Sequence, residues 1–174
     1  SVSRSSPKPL DCEPRPFTLV GRTVLITGSS KGLGKAMAFA LGAAGAKVAI
    51  NYANGKETAE ATFAEFQERG YEGGLFRADV TNEKQVQKLC AEVTKKLGPI
   101  DILVANATPA QPQKPIEQYD WAFYQQMLDF FVKSPYLLTR AVLPQMKARR
   151  WGRIINVSSV AALTGNLGFD VWSN

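Results

Sequence analysis

The feature that most limits the possible folds of this chain is a short apolar run followed by three glycines and then by apolar residues at helical spacing. Residues 24–27 are rich in β-branched side chains and too few for a helix, which predicts a buried parallel strand. Gly28, Gly32 and Gly34 follow, and from Leu33 the apolar positions recur at helical spacing. Such a turn leaves N–H groups at the helix N-terminus unpaired, where the helix dipole favours negative charge. The stretch therefore predicts a phosphate site, and a tight turn without a ligand is the alternative.

The spacing of these glycines is G-x-x-x-G-x-G. It differs from the G-x-G-x-x-G pattern of dinucleotide-binding turns and from the G-x-x-x-x-G-K-[ST] phosphate loop, because Lys31 precedes its glycine. Glycine at these positions lets the chain turn and lets a pyrophosphate approach without a Cβ in the way.

Strand and helix patterns alternate along the rest of the chain. Further strands are predicted at residues 47–51, 74–80, 100–106 and 153–159. Helices are predicted at 56–69, after a capping Asn82, and from about 118 to 147, where Pro135 and Pro144 should bend or interrupt the helix. This order indicates a Rossmann-type, doubly wound parallel sheet with three α/β/α layers. Ligands of such sheets bind at the carboxyl ends of the strands, near Gly28, Asp79, Asn106 and Ser159.

Composition limits the classes of protein to consider. The 174 residues suit one domain, predicted at 19–174, after a proline-rich arm at 1–18 that is expected to be disordered. The arm contains no apolar segment typical of a signal peptide, so the expected location is the cytoplasm, and no run of about 20 apolar residues predicts a membrane span. Cys12 and Cys90 indicate no disulfide framework.

Charge and histidine content narrow the chemistry further. The chain has no histidine, which argues against a metal site and against His-based nucleophilic catalysis. Its net charge of +6 includes a basic cluster near residue 150, but no nucleic-acid-binding motif accompanies that cluster. We expect a solvated surface there and no nucleic-acid partner, with an anionic partner as the alternative.

Four motifs in order resemble the short-chain dehydrogenase/reductase family, and most closely its 3-oxoacyl-carrier-protein reductase-like branch. They are TGSSKGLG at 27–34, ADV at 78–80, NAT at 106–108 and INVSS at 155–159, and the resemblance covers about residues 19–172. It implies a nicotinamide cofactor, reduction of a small keto substrate by hydride transfer (or oxidation of the hydroxy form), and a homo-oligomer assembled through the long helix. The cofactor-binding residues that it implies are Gly28, Ser30, Lys31, Gly32, Leu33, Gly34, Asn51, Asp79, Val80, Asn106 and Ala107.

The choice between the two nicotinamide cofactors is argued from charge. A carboxylate at the end of the second strand would accept hydrogen bonds from a ribose 2′-OH but repel a 2′-phosphate. Asn51 occupies that place, and Lys31 lies where NADP-using members of the family carry a basic residue. NADP(H) is therefore favoured over NAD(H), while an exposed loop charge is the alternative reading of Lys31.

The catalytic residues that the resemblance implies are only partly present. Ser159 matches the serine that steadies the carbonyl oxygen, but Trp172 stands at the tyrosine position, and an indole N–H cannot release its proton near neutral pH. Phe131 replaces the helix asparagine, Thr108 replaces a glycine, and the lysine and the final strands of the fold would lie beyond Asn174. The sequence thus predicts impaired catalysis. The alternatives are a non-catalytic NADP(H)-binding module, a pairing partner of a full-length relative, or a remnant without function.

Overall fold

The computed structural model describes residues 18–112 and 114–159. Within them one sheet has the strand order β3-β2-β1-β4-β5, with every neighbouring pair parallel. This order reverses direction between β1 and β4, as in the Rossmann fold, which confirms the predicted fold class. The strands are β1 (Thr23–Ile26), β2 (Lys47–Tyr52), β3 (Gly73–Arg77), β4 (Ile100–Ala105) and β5 (Arg153–Asn156).

Helices cover both faces of the sheet. On one face α1 and α2 pack on a core that includes Val24, Ile50 and Phe66. On the other, α3 and α5 pack on Leu25 and Leu103. Both cores are formed by the continuous apolar strands that a sheet buried on two faces requires. The helices are α1 (Gly32–Ala43), α2 (Lys56–Glu68), α3 (Glu83–Leu97), α4 (Trp121–Leu128) and α5 (Ser134–Ala148).

The apolar stripe and the cap predicted for the third helix are both confirmed. Asn82 Oδ1 accepts a hydrogen bond from the Gln85 N–H at 3.1 Å. Five side chains of α3 face the core, and all are buried: Val86, Leu89, Cys90, Val93 and Leu97.

Two predicted strands end earlier than the apolar pattern indicates. β3 ends at Arg77 because its partner β2 ends at Tyr52, with which Arg77 is in register. β5 ends at Asn156, opposite the last residue of β4. Asp79 and Ser159 therefore lie in the loops that follow their strands.

The long helical region begins later than predicted and is interrupted where expected. Asp120 caps α4 by accepting the Phe123 N–H at 2.8 Å, so the helix begins at Trp121 and not near residue 118. A π-helical segment, Asp129–Lys133, separates α4 from α5. Pro135, the second residue of α5, has no N–H to continue the α-helical pattern from the preceding turn. Pro144, by contrast, lies inside α5 without ending it.

Some expectations concern residues outside the described ranges. Residues 1–17 of the predicted arm, including Cys12, and the substituted tyrosine position at Trp172 lie there. No helix in the described part of the chain is long and apolar enough to cross a membrane.

The end of α5 yields a stability prediction. Arg150 has φ +54°, its N–H bonds to the Lys147 carbonyl at 3.0 Å, and the Trp151 N–H bonds to the Met146 carbonyl at 3.1 Å. This is a Schellman motif with arginine at the left-handed position that glycine prefers. We expect Arg150→Gly to raise the free energy of unfolding by about 0.5–1 kcal/mol in urea denaturation. Arg150→Ala keeps the strain, so a similar gain in that variant would contradict the explanation.

Candidate functional site

The glycine-rich turn joins β1 to the N-terminus of α1. Gly28 and Gly32 have φ +62° and +55°, values that favour glycine. Gly34 is required for space instead, because a Cβ there would lie 2.7 Å from Asn106 Nδ2 and 2.8 Å from Ser29 Cα. No side chain caps the first turn of α1. The turn therefore presents an uncapped helix N-terminus beside backbone that side chains do not obstruct.

Thr27 and Asn106 fasten this turn to the end of β4. Thr27 Oγ1 accepts the N–H groups of Asn106 and Ala107 at 3.0 and 3.1 Å. Asn106 Nδ2 in turn donates to the carbonyls of Thr27 at 2.9 Å and Gly28 at 3.2 Å. The contacts explain why an asparagine follows β4. Thr27 was not predicted as a site residue, although a hydroxyl between an apolar strand and a glycine is a usable signal in the sequence. The structure shows that this hydroxyl is fully buried.

Asn51 has a different environment from the one expected. Its side chain is buried, with Oδ1 accepting the Gly28 N–H at 3.2 Å and Nδ2 donating to the carbonyls of Ala78 at 3.1 Å and Phe76 at 3.4 Å. Its N–H donates to Ser29 Oγ at 3.0 Å. The amide thus holds the turn against the end of β3, and it is not presented to the surface where a ribose would lie.

The hydrogen bonds of the Asn51 amide predict that a carboxylate at this position would destabilise the fold. Asn51→Asp would place a carboxylate oxygen against the carbonyls of Ala78 and Phe76, where no donor meets it. We expect a loss of about 2–4 kcal/mol in the free energy of unfolding, measured by urea denaturation. Asn54→Asp, in the exposed loop after β2, is the matched control and should change stability by less than about 0.5 kcal/mol. Unchanged stability in Asn51→Asp would refute the hydrogen-bonding role.

The remaining residues of the turn differ in exposure. Lys31 is exposed, has extended backbone (φ −157°) and directly precedes α1. Leu33 is 60% exposed, whereas Ser30 is buried and its carbonyl accepts the Thr62 hydroxyl at 2.8 Å. Lys31 and Leu33 are therefore the side chains of the turn that a ligand could contact directly.

An open cleft of about 810 Å³ lies between the loops after β2 and β3 and the helix α4, and no residue of the glycine turn lines it. Ala53, Arg77, Asp79 and Gln125 are among its lining residues. The Asp79 carboxylate accepts the N–H and hydroxyl of Thr81 at 2.9 and 2.7 Å. A cleft of this volume can hold a nucleotide-sized ligand.

Val80, next to Asp79, is turned away from the cleft. It is 2% exposed and packs in the core with α3. Its side chain therefore stabilises the fold, and only its backbone remains available to a ligand.

The candidate catalytic positions are less enclosed. Ser159 lies three residues beyond β5 and is exposed, and Phe131 is half-buried within the π-helical segment.

Burial raises the pKa of the Cys90 thiol to about 11, so the group stays protonated near neutral pH and is a poor nucleophile. No cluster of metal-binding side chains occurs within 18–112 and 114–159.

The family model described as "short chain dehydrogenase" matches residues 22–173. The chain belongs to the short-chain dehydrogenase/reductase family. Its crossover order, its glycine turn and the polar ends of its strands are thus features of an oxidoreductase family member.

Individual members of the short-chain dehydrogenase/reductase family show how far the similarity extends. The chain is 38% identical over 152 residues to a 3-oxoacyl-[acyl-carrier-protein] reductase of Synechocystis, covering 86% of this chain and 60% of the relative. It is 31% identical over 149 residues to a 2-dehydro-3-deoxy-D-gluconate 5-dehydrogenase of Formosa agariphila, covering 86% and 56%. A crystal structure described as a gluconate dehydrogenase from Agrobacterium tumefaciens superposes with a TM-score of 0.83 at 32% identity, covering 90% and 61%. The chain therefore spans little more than half the length of these relatives.

Proposed function

We propose that this chain is the cofactor-binding part of an NADP(H)-dependent oxidoreductase that reduces a carbonyl group, of the 3-oxoacyl kind, by hydride transfer. The observation that carries the proposal is the turn at Gly28–Gly34, which is fastened to β4 by Thr27 and Asn106 and leaves α1 without a side-chain cap. A pyrophosphate fits such a place, because the turn offers backbone N–H groups and the positive end of the helix dipole.

The preference for NADP(H) is supported by charge at the edge of the turn. Lys31 is exposed, and among the described residues it forms no ion pair. The loop after β2 carries Ala53 and Asn54, neither of which repels a phosphate. Asn51 supports the preference only indirectly, because its amide is committed to Gly28 and β3.

The reaction is proposed from the family and from the names of the relatives. A bound nicotinamide would supply the hydride, and Ser159 would donate a hydrogen bond to the substrate oxygen. Since the relatives named above act on a 3-oxoacyl group or on sugar acids, the proposed substrate is a small keto or hydroxy compound.

Nucleotide titration of the 174-residue chain tests the proposal. NADPH should raise the melting temperature by several degrees and NADH by less, since binding to the native state alone stabilises it by mass action. Lys31→Ala should weaken NADPH binding about 5-fold or more, by loss of a charge-assisted contact. Lys95→Ala, an exposed lysine in the last turn of α3, is the control and should leave binding unchanged. Stabilisation by neither nucleotide would refute the proposed function.

A second candidate is a non-catalytic NADP(H)-binding protein. Phe131 favours it, because an apolar ring in the π-helical segment cannot support the proton relay expected of the family's asparagine there. The two candidates differ in a single assay: NADPH consumption with a 3-oxoacyl thioester at saturating cofactor would exclude the non-catalytic one.

Self-association is proposed on the apolar surface of the long helical region. Large side chains at i, i+7, i+11 and i+15 are exposed on it, at Trp121 (71%), Leu128 (43%), Val132 (64%) and Tyr136 (58%). An exposed apolar row of this kind is typical of an interface between proteins. Sedimentation equilibrium of the chain would show a monomer if the proposal is wrong.

A further inference from the structure

Arg77, which the sequence analysis did not single out, lies at the rim of the cleft. It is the last residue of β3, in register with Tyr52 at the end of β2. Its Nε donates to the carbonyl of Ala53, the first residue after β2, at 3.1 Å. The guanidinium is therefore anchored across the end of β2 while its side chain remains exposed.

The charge of Arg77 is not neutralised within the part of the chain that the structure describes. Its ion pairs would have to come from the acidic side chains that line the cleft, Asp79 and Asp129. Asp79 accepts two hydrogen bonds from Thr81, and Asp129 lies 3.7 Å from Lys133 Nζ. With Nε held by a carbonyl, the terminal nitrogens of Arg77 form no hydrogen bond to these groups.

We propose that Arg77 binds the 2′-phosphate of NADP(H) and thereby determines the cofactor preference. This inference rests on the proposed function. The adenosine ribose of a Rossmann fold lies at the end of the second strand, and an arginine near that place accommodates a 2′-phosphate. The planar guanidinium offers two parallel N–H groups to phosphate oxygens, and anchoring through Ala53 reduces the entropy lost on binding.

Arg77 also supplies a positive charge that the loop after β2 lacks. Residues 53–55 carry no charged side chain, and Lys56, which follows them, pairs with Glu60 at 3.5 Å. The positive charge that lines the cleft comes from Arg77 on β3, one strand further along the sheet.

The test compares two ligands that differ by the phosphate alone, 2′,5′-ADP and 5′-ADP, by calorimetric titration of the 174-residue chain. Arg77→Gln should weaken 2′,5′-ADP about 10- to 100-fold and change 5′-ADP less than about 2-fold. Arg77→Lys keeps the positive charge but lacks the paired N–H groups of the guanidinium, and it should lose an intermediate amount of affinity for 2′,5′-ADP. Arg153→Gln, an exposed arginine at the opposite end of the strands, is the control for net charge and should change neither affinity.

The outcomes separate this inference from the proposed function. If the wild-type chain binds NADPH and Arg77→Gln weakens both ligands equally, or neither, the inference is wrong and the proposed function stands. If the wild-type chain binds neither NADPH nor 2′,5′-ADP, both are wrong. Circular dichroism of Arg77→Gln should match the wild type, since the side chain is exposed.

Discussion

Gly34→Ala is expected to abolish measurable NADPH binding and to lower the free energy of unfolding by about 3 kcal/mol. The new Cβ would come against the Gly28 carbonyl oxygen, 2.7 Å from Asn106 Nδ2 and 2.8 Å from Ser29 Cα. Two of these three atoms belong to backbone, so the methyl group fits only if the turn moves away from α1. That movement would separate Asn106 from the carbonyls of Thr27 and Gly28. Calorimetric titration with NADPH and urea denaturation measure the two effects.

Gly70→Ala is the matched control for the Gly34 variant. Gly70 has φ +77° at the end of α2, and a Cβ there would meet nothing within 4 Å. The control should lose about 1–2 kcal/mol through backbone strain alone and retain NADPH affinity. If Gly34→Ala binds NADPH as tightly as Gly70→Ala does, the close packing of the turn is not what the cofactor site requires.

Asp101→Asn is expected to destabilise the fold by about 3 kcal/mol without changing nucleotide affinity. Asp101 is 5% exposed at the amino end of β4. Its carboxylate accepts the Thr23 N–H at 3.0 Å and pairs with Arg149 at 2.6 Å and Arg22 at 3.7 Å. Arg149 also donates to the Ile100 carbonyl at 2.8 Å, so one buried carboxylate joins β1, β4 and the end of α5.

The loss should appear as a fall in melting temperature of roughly 6–12 °C for a chain of this size. Glu92→Gln, which removes an exposed pair with Lys88 at 3.7 Å on α3, should cost less than about 1 kcal/mol. Asp101 lies at the amino ends of the strands, whereas the glycine turn lies at their carboxyl ends. NADPH affinity of the variant, measured below its melting temperature, should therefore match that of the wild type. A stability equal to that of Glu92→Gln would show that the buried pair does not hold these elements together.

The parts of the fold that were predicted correctly depend on local patterns. Continuous apolar strands, the stripe of α3 and the Asn82 cap each follow from residues within one element. Their alternation restricts the connections to right-handed crossovers. In the resulting parallel sheet, with the order β3-β2-β1-β4-β5, the glycine turn, Asp79 and Asn106 all follow the carboxyl ends of strands and therefore lie on the same side.

The sequence was least informative where a residue's environment is set by other strands. Asn51 reads as the exposed end of a strand, but β2 continues to Tyr52 and the amide is enclosed by Gly28 and β3. Val80 reads as part of the same motif as Asp79, yet it packs under α3. β3 and β5 ended early because a strand extends only as far as its neighbour can hydrogen-bond with it.

The sequence by itself determined the fold class, the glycine-rich turn and the family, because glycine spacing and apolar periodicity act within a few residues of the chain. Tertiary structure alone decided which polar side chains are presented to a ligand and which serve the fold. Asn51 and Asp101 form hydrogen bonds with residues that are 22 and 78 positions away in the sequence. Arg77 lies beside the end of β2 because of the register between β2 and β3. Such roles depend on which backbone groups a side chain meets across the sheet, and local patterns carry no information about that.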